Sequence, residues 1–151
     1  MEIIQLGAEY LEEVYELSNQ LENEQLDYEG FKRCYFEIMS LSNHLLYGVK
    51  KERLIGFIHL RVEQQLHHAS LVVEILELVI DDKHRSQKYG KRLLDFAVNY
   101  SKSIQASHIE LSSNQFRRRA HQFYNREGFI ETSVKFVKKL LIPVLATSGT
   151  T

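Results

Sequence analysis

The stretch from Leu71 to Leu111 constrains the chain more than any other. Leu71 to Ile80 is almost continuously apolar, broken only by Glu74 and Glu77, which suits a strand buried on both faces. A polar loop, Asp81 to Gln87, follows it. Tyr89, Leu93, Phe96, Ala97, Tyr100 and Ile104 then recur at helical spacing. Ile109 and Leu111 mark the next strand. If that helix crosses over as a strand–helix–strand unit within one sheet, the two strands run parallel.

The other elements are fitted around this unit. Glu2 to Leu6 reads as a short first strand. Leu11, Val14, Tyr15, Ser18 and Leu21 form one apolar helical stripe, and Tyr28, Phe31, Tyr35, Ile38 and Met39 form a second behind Asp27 as N-cap. Leu45–Lys50 and Leu54–Val62 alternate as strands and make an antiparallel meander with Leu71–Ile80. After Leu111, Asn114 to Arg126 reads as a short helix closed by Gly128 at C′. Phe129–Ile130 and Val134–Leu140 are expected to be the last strands. The expected order is β-α-α-β-β-β-α-β-α-β-β.

At 151 residues the chain fits one domain of the usual size of about 100–150 residues. We place that domain at 1–145, with a mobile tail at 146–151. With 19 basic and 20 acidic side chains the net charge is −1, so no overall basic field draws in nucleic acid or an acidic membrane. No apolar run approaches the roughly 20 residues of a membrane span. The lone cysteine, Cys34, cannot make an internal disulfide, and no secretory signal is evident. A cytoplasmic setting is expected, with Cys34 packed in a helix. His67 and His68 lack a third ligand at a recognisable spacing, so no metal is expected.

The join between Ile80 and Tyr89 carries the chemistry. Lys83, His84, Arg85 and Lys88 crowd a loop that leads to Gly90 at a helix start. First-turn N–H groups and the positive end of a helix dipole attract phosphate. The segment Leu78 to Gly90 resembles motif A of the GNAT (Gcn5-related) N-acetyltransferases, [R/Q]-x-x-G-x-[G/A]. Arg85 stands at its first position and Gly90 at its last, while Lys88 replaces the middle glycine. Ala120 to Phe129 resembles the family's motif B, which ends aromatic-Tyr-x-x-x-Gly-Phe. Leu66-His67-His68, Glu74 to Val79 and Ala120-His121 are most similar to the aminoalkylphosphonate N-acetyltransferase branch, which acetylates small primary amines.

The resemblance implies an α/β (α+β) GNAT fold. Its sheet is mixed, mostly antiparallel and of six to seven strands, flanked by about four helices. It also implies a splay between the strand Leu71–Ile80 and the strand through Leu111. Acetyl-CoA is the implied co-substrate. Its pantetheine would pair with Leu78, Val79 and Ile80. Its pyrophosphate would lie on amides of Ser86, Gln87, Lys88, Tyr89, Gly90 and Lys91 beside Arg85, and Asn114 is a further contact or a helix cap. Arg117 to Arg119 could reach the 3′-phosphate or be a solvated helix face.

Attack by an amine requires a base and an acid. Glu74 stands as far ahead of Arg85 as the base does in the family's histone-modifying branch, and Glu77 directly precedes the pantetheine segment. The alternative is that these glutamates reach the strand's solvated edge or pair with His59 or Arg61. Strand alternation puts them on opposite faces unless a bulge intervenes. Tyr124 occupies the position of the tyrosine that protonates the leaving thiolate. The expected enzyme therefore acetylates a small primary amine. Alternatives are a protein or peptide N-acetyltransferase, or a non-catalytic acyl-CoA-binding regulator. A homodimer is possible through Lys135–Leu140 and Leu141–Leu145.

Overall fold

A computed structural model describes residues 2–141, so the expected tail at 146–151 and the apolar residues 142–145 lie outside it. The chain divides into two compact units, Met1–Leu111 and Ser112–Thr151.

The first unit holds one mixed sheet of five strands: β1 (Glu2–Gln5), β2 (His44–Lys50), β3 (Leu54–Gln65), β4 (Ser70–Ile80) and β5 (His108–Leu111), in that spatial order. Neighbours from β1 to β4 are antiparallel, and β4–β5 is parallel, as the crossover rule requires. Helices α1 (Leu11–Glu22) and α2 (Tyr28–Ser40) follow β1, and α3 (Tyr89–Ser103) bridges β4 to β5. The expected N-cap is present, with the Gly30 N–H donating to the Asp27 carboxylate at 2.8 Å.

Leu46, Phe57 and Val79 join Leu11, Val14, Leu17 and Tyr35 in one buried cluster, which puts α1 and α2 on one face of the sheet. Tyr47, the neighbour of Leu46, packs its ring against Phe96 of α3 at 4.7 Å, so α3 covers the other face. Leu93, Leu94 and Ala97 are at most 1% exposed there, and each leucine contributes about 1.5–3 kcal/mol of apolar burial. Tyr35 donates from its hydroxyl to the Gly7 carbonyl at 2.7 Å, and burial, with Glu9 nearby, pushes its pKa up to about 12.

In the second unit α4 spans Arg118–Arg126, four residues shorter at its start than expected. Two expectations fail here. Among the described residues neither Phe129–Ile130 nor Val134–Leu140 forms a strand, and the sheet has five strands, not six to seven. Alternating side chains make a strand possible, but only a partner edge that takes up its N–H and C=O groups makes one, and no pairing reaches these residues. The packed-thiol expectation for Cys34 also fails. α2 buries only Tyr35 fully, and Cys34 is exposed.

Candidate active site

The β3–β4 register decides how the two glutamates are displayed. Phe57 opposes Val79, His59 opposes Glu77, and Arg61 opposes Glu74, with a register shift between His59 and Leu60. Leu76 is the extra residue of a β-bulge. Positions 57, 59 and 61 of β3 share one face, so Glu77 and Glu74 share it too. Without the bulge, Glu74 would point to the α3 side.

The two carboxylates have different partners. Glu74 is ion-paired with the Arg61 guanidinium, and Arg61 also reaches Glu63 at 2.9 Å. Glu77 lies 3.2 Å from His59 Nδ1, and His59 Nε2 lies 2.8 Å from His44 Nδ1. Because an ionised carboxylate only accepts, His59 Nδ1–H donates to Glu77, and His44 Nδ1–H then donates to His59 Nε2. Burial first, then the neighbouring His59 and Arg61, hold the His44 pKa below its ordinary value, against an opposing pull from Glu63. His59 is 4% exposed, whereas the Glu77 side chain is 37% exposed.

Glu77 and His59 open on a cavity of about 300 Å³ between α1, α2 and the sheet. Glu22, Ser18 and Cys34 also line it. Ser18 Oγ is buried without a hydrogen-bond partner among the described residues, which marks a polar position that a ligand or water can satisfy. Ser18 lies on the apolar stripe of α1, whose periodicity points to core packing, and Glu22 follows it one turn later on the same face.

At the C-terminal end of β4 the last pair with β5 is Ile75–Leu111, while pairing with β3 continues to Ile80. Leu78, Val79 and Ile80 therefore present one strand edge beyond the β5 pairing. The loop that follows is pinned from α1, a role no motif signalled. Gln20 Oε1 accepts the Asp82 N–H at 3.0 Å, and Gln20 Nε2 donates to Asp81 at 3.4 Å. Arg85 is paired with Asp82 at 2.7 Å. Ser86 and Lys88 have φ of 65° and 68°, and α3 starts behind Lys88 with Arg92 N–H donating to the Lys88 carbonyl at 3.1 Å. Among the described residues no backbone carbonyl takes the N–H groups of Ser86 to Gly90. Lys88 thus occupies the left-handed conformation a glycine adopts without cost, which is the physical content of the motif glycine it replaces.

The second unit explains the other motif. Gly128 has φ 92°, its N–H donates to the Asn125 carbonyl, and the Phe129 N–H donates to the Tyr124 carbonyl at 3.0 Å. This pair of bonds is a Schellman cap, and the Tyr124–Phe129 ring contact at 5.7 Å is its usual apolar clasp between C3 and C″. Tyr-x-x-x-Gly-Phe is therefore a device that fixes the tyrosine. Burial raises the Tyr124 pKa above its ordinary value, with Arg117 pulling weakly the other way. Asn114 Oδ1 accepts the Phe116 N–H at 2.9 Å, an Asx turn ahead of α4. Arg118 and Arg119 are exposed.

Comparison with known proteins agrees with this geometry. Residues 9–129 match the model of the acetyltransferase (GNAT) family. An aminoalkylphosphonate N-acetyltransferase of Salmonella typhimurium is 34% identical over 134 residues, 88% of this chain and 87% of that protein. A Bacillus halodurans structure described as a transcriptional regulator superposes with TM-score 0.81 at 20% identity, covering 93% of this chain and 99% of that one. Glucosamine-6-phosphate N-acetyltransferase from Arabidopsis thaliana superposes with TM-score 0.75 at 21% identity, covering 91% and 97%. At these identities the two structures speak for the fold alone.

Proposed function

The chain belongs to the GNAT acetyltransferase family, and from that premise we propose that it transfers the acetyl group of acetyl-CoA to the primary amine of a small molecule. The observation that carries the choice of acceptor is the cavity of about 300 Å³ with Glu77 and Glu22 in its lining. Two carboxylates in a partly enclosed space suit a cationic amine better than a neutral group. The similarity to an aminoalkylphosphonate N-acetyltransferase supports the same class.

In this reading Glu77, not Glu74, takes the proton from the ammonium. The Arg61 guanidinium holds Glu74 as an ion pair and disfavours its protonation, whereas Glu77 faces an imidazole N–H rather than a cation. The Glu77 side chain, 37% exposed, then gives the proton to solvent, while the His59 and His44 N–H groups hold the carboxylate in place. The freed amine nitrogen forms a bond to the acetyl carbon, and the carbon–sulphur bond breaks. Tyr124, whose phenol keeps its proton because burial disfavours phenolate, protonates the departing thiolate, and the acylated nitrogen sheds its surplus proton, which restores the phenol. The edge of Leu78, Val79 and Ile80 takes the pantetheine amides. The N–H groups of Ser86 to Lys91 and the Arg85 side chain hold the pyrophosphate. The same reading includes a cytoplasmic setting. It also includes a homodimer, for which the exposed Val134, Phe136 and Leu140 are the support.

The test is a thiol-release assay over aminoalkylphosphonates, polyamines, amino acids, aminoglycosides and peptides. Turnover is expected with a small primary amine. Turnover with peptides alone would transfer the assignment to protein acetylation. CoA binding by calorimetry without any turnover would make the chain a regulator.

A further inference from the structure

We propose that His68, His108 and Glu110 form a binding site for a divalent transition-metal ion of zinc type. Sequence spacing gives no sign of it, because the ligands come from the turn between β3 and β4 and from β5. Alternation along β5 puts His108 and Glu110 on one face. The turn Leu66–His68 closes with Ala69 at φ 51°, a conformation uncommon for alanine, and the Ala69 N–H donates to the Leu66 carbonyl at 3.0 Å. That turn brings the His68 ring against His108, with centroids 4.6 Å apart and planes at 79°.

One donor atom from each of the three side chains lies within 4.8 Å of the other two. Zinc bonds of about 2.0–2.2 Å place tetrahedral donors roughly 3.4 Å apart, so the set closes by side-chain rotation alone. His68 is exposed and free to make that adjustment. His108 is already oriented. Its Nδ1 is 3.0 Å from Ser107 Oγ, Ser107 Oγ is 2.7 Å from Ser70 Oγ, and Nε2 faces Glu110 at 2.9 Å. A partner on the far ring nitrogen is the arrangement that fixes a metal-binding imidazole. Without metal, the His108–Glu110 contact satisfies both groups.

Two imidazoles and one carboxylate select zinc, nickel or cobalt over magnesium and calcium, which take oxygen ligands. Three protein ligands leave a position open for water or an anion. Bound metal would tie the β3–β4 turn to β5, the edge strand of the sheet, and stabilise the folded state in proportion to its occupancy.

The experiment uses the untagged full chain, with zinc titrated against a chromophoric chelator and thermal melts run in parallel. One zinc per chain and a higher melting temperature are expected. His68→Ala, His108→Ala and Glu110→Gln should each weaken binding by more than about tenfold, and Ser107→Ala by less. His67→Ala and Cys34→Ser should bind as the parent does. Should His108→Ala melt early without metal, Glu110→Gln, which keeps the side-chain shape, decides the matter. Millimolar binding in the parent would overturn the site. So would parental affinity in Glu110→Gln, or equal losses in His67→Ala and His68→Ala with none in His108→Ala, which would reduce it to two adjacent surface histidines.

Discussion

Replacing Gly128 with alanine tests whether the Schellman cap is what holds Tyr124. At φ 92° a Cβ added to Gly128 meets nothing within 4 Å, so the substitution causes no clash and its effect is conformational. A left-handed backbone costs a residue with a Cβ roughly 1–2 kcal/mol. Alanine returns about 0.4–1 kcal/mol by restricting the unfolded chain. The net loss is about 1 kcal/mol, or about 2–4 °C of melting temperature for a chain of this size. The loss falls on the last turn of α4, where the Gly128 and Phe129 amides bond the Asn125 and Tyr124 carbonyls. Hydrogen exchange at Phe129 should therefore accelerate, and kcat should fall with CoA affinity preserved. Gly128→Asn, which tolerates the left-handed region, should recover part of both. The reasoning is refuted if Gly128→Ala melts at or above the parent with Phe129 protection intact.

Glu77→Gln should lower kcat/KM for the amine by about 10²–10⁴, the range of general-base catalysis, and steady-state kinetics with unchanged CoA binding checks it. Tyr124→Phe should cut kcat by a comparable factor while amine KM and CoA affinity hold. Lys88→Gly relieves roughly 1–2 kcal/mol of backbone cost against about 0.4–1 kcal/mol of added chain entropy, so denaturant melts should show a gain of about 0.5–1 kcal/mol. CoA affinity, measured separately, then reports whether the Lys88 ammonium contributes beyond its backbone. For His44 the folded pKa is lowered, so the unfolded chain binds the proton first. The stability this histidine confers is present above its ordinary pKa of about 6.5 and drains away as pH falls below it. Melts between pH 5 and 7.5 should show that slope, and His44→Gln should flatten it.

The strand–helix–strand unit, both N-terminal helices and the Gly128 cap were legible because each depends on local periodicity or on one residue with a special backbone. The rest depends on what lies opposite. Val134 to Leu140 carries a strand pattern yet forms no strand, because pairing is a property of two segments. Cys34 lies within a helical pattern, yet it is exposed and lines the cavity instead of packing in the core. Gln20 has no motif, and its role follows from the loop end it meets. His68 and His108 belong to distant segments that only the sheet register brings together.

The bulge at Leu76 gives this limit its sharpest form. The sequence presents Glu74 and Glu77 three residues apart on a strand, which by alternation means opposite faces. Leu76 adds one residue without a partner and restores both to one face. Each then meets a different residue of β3, Arg61 for one and His59 for the other. The difference between the two carboxylates is thus created by β3, whose Arg61 and His59 sit at alternate positions. In the proposed reaction the base differs from the ion-paired acid by the partner opposite it, and the single inserted residue is what sets Arg61 opposite Glu74.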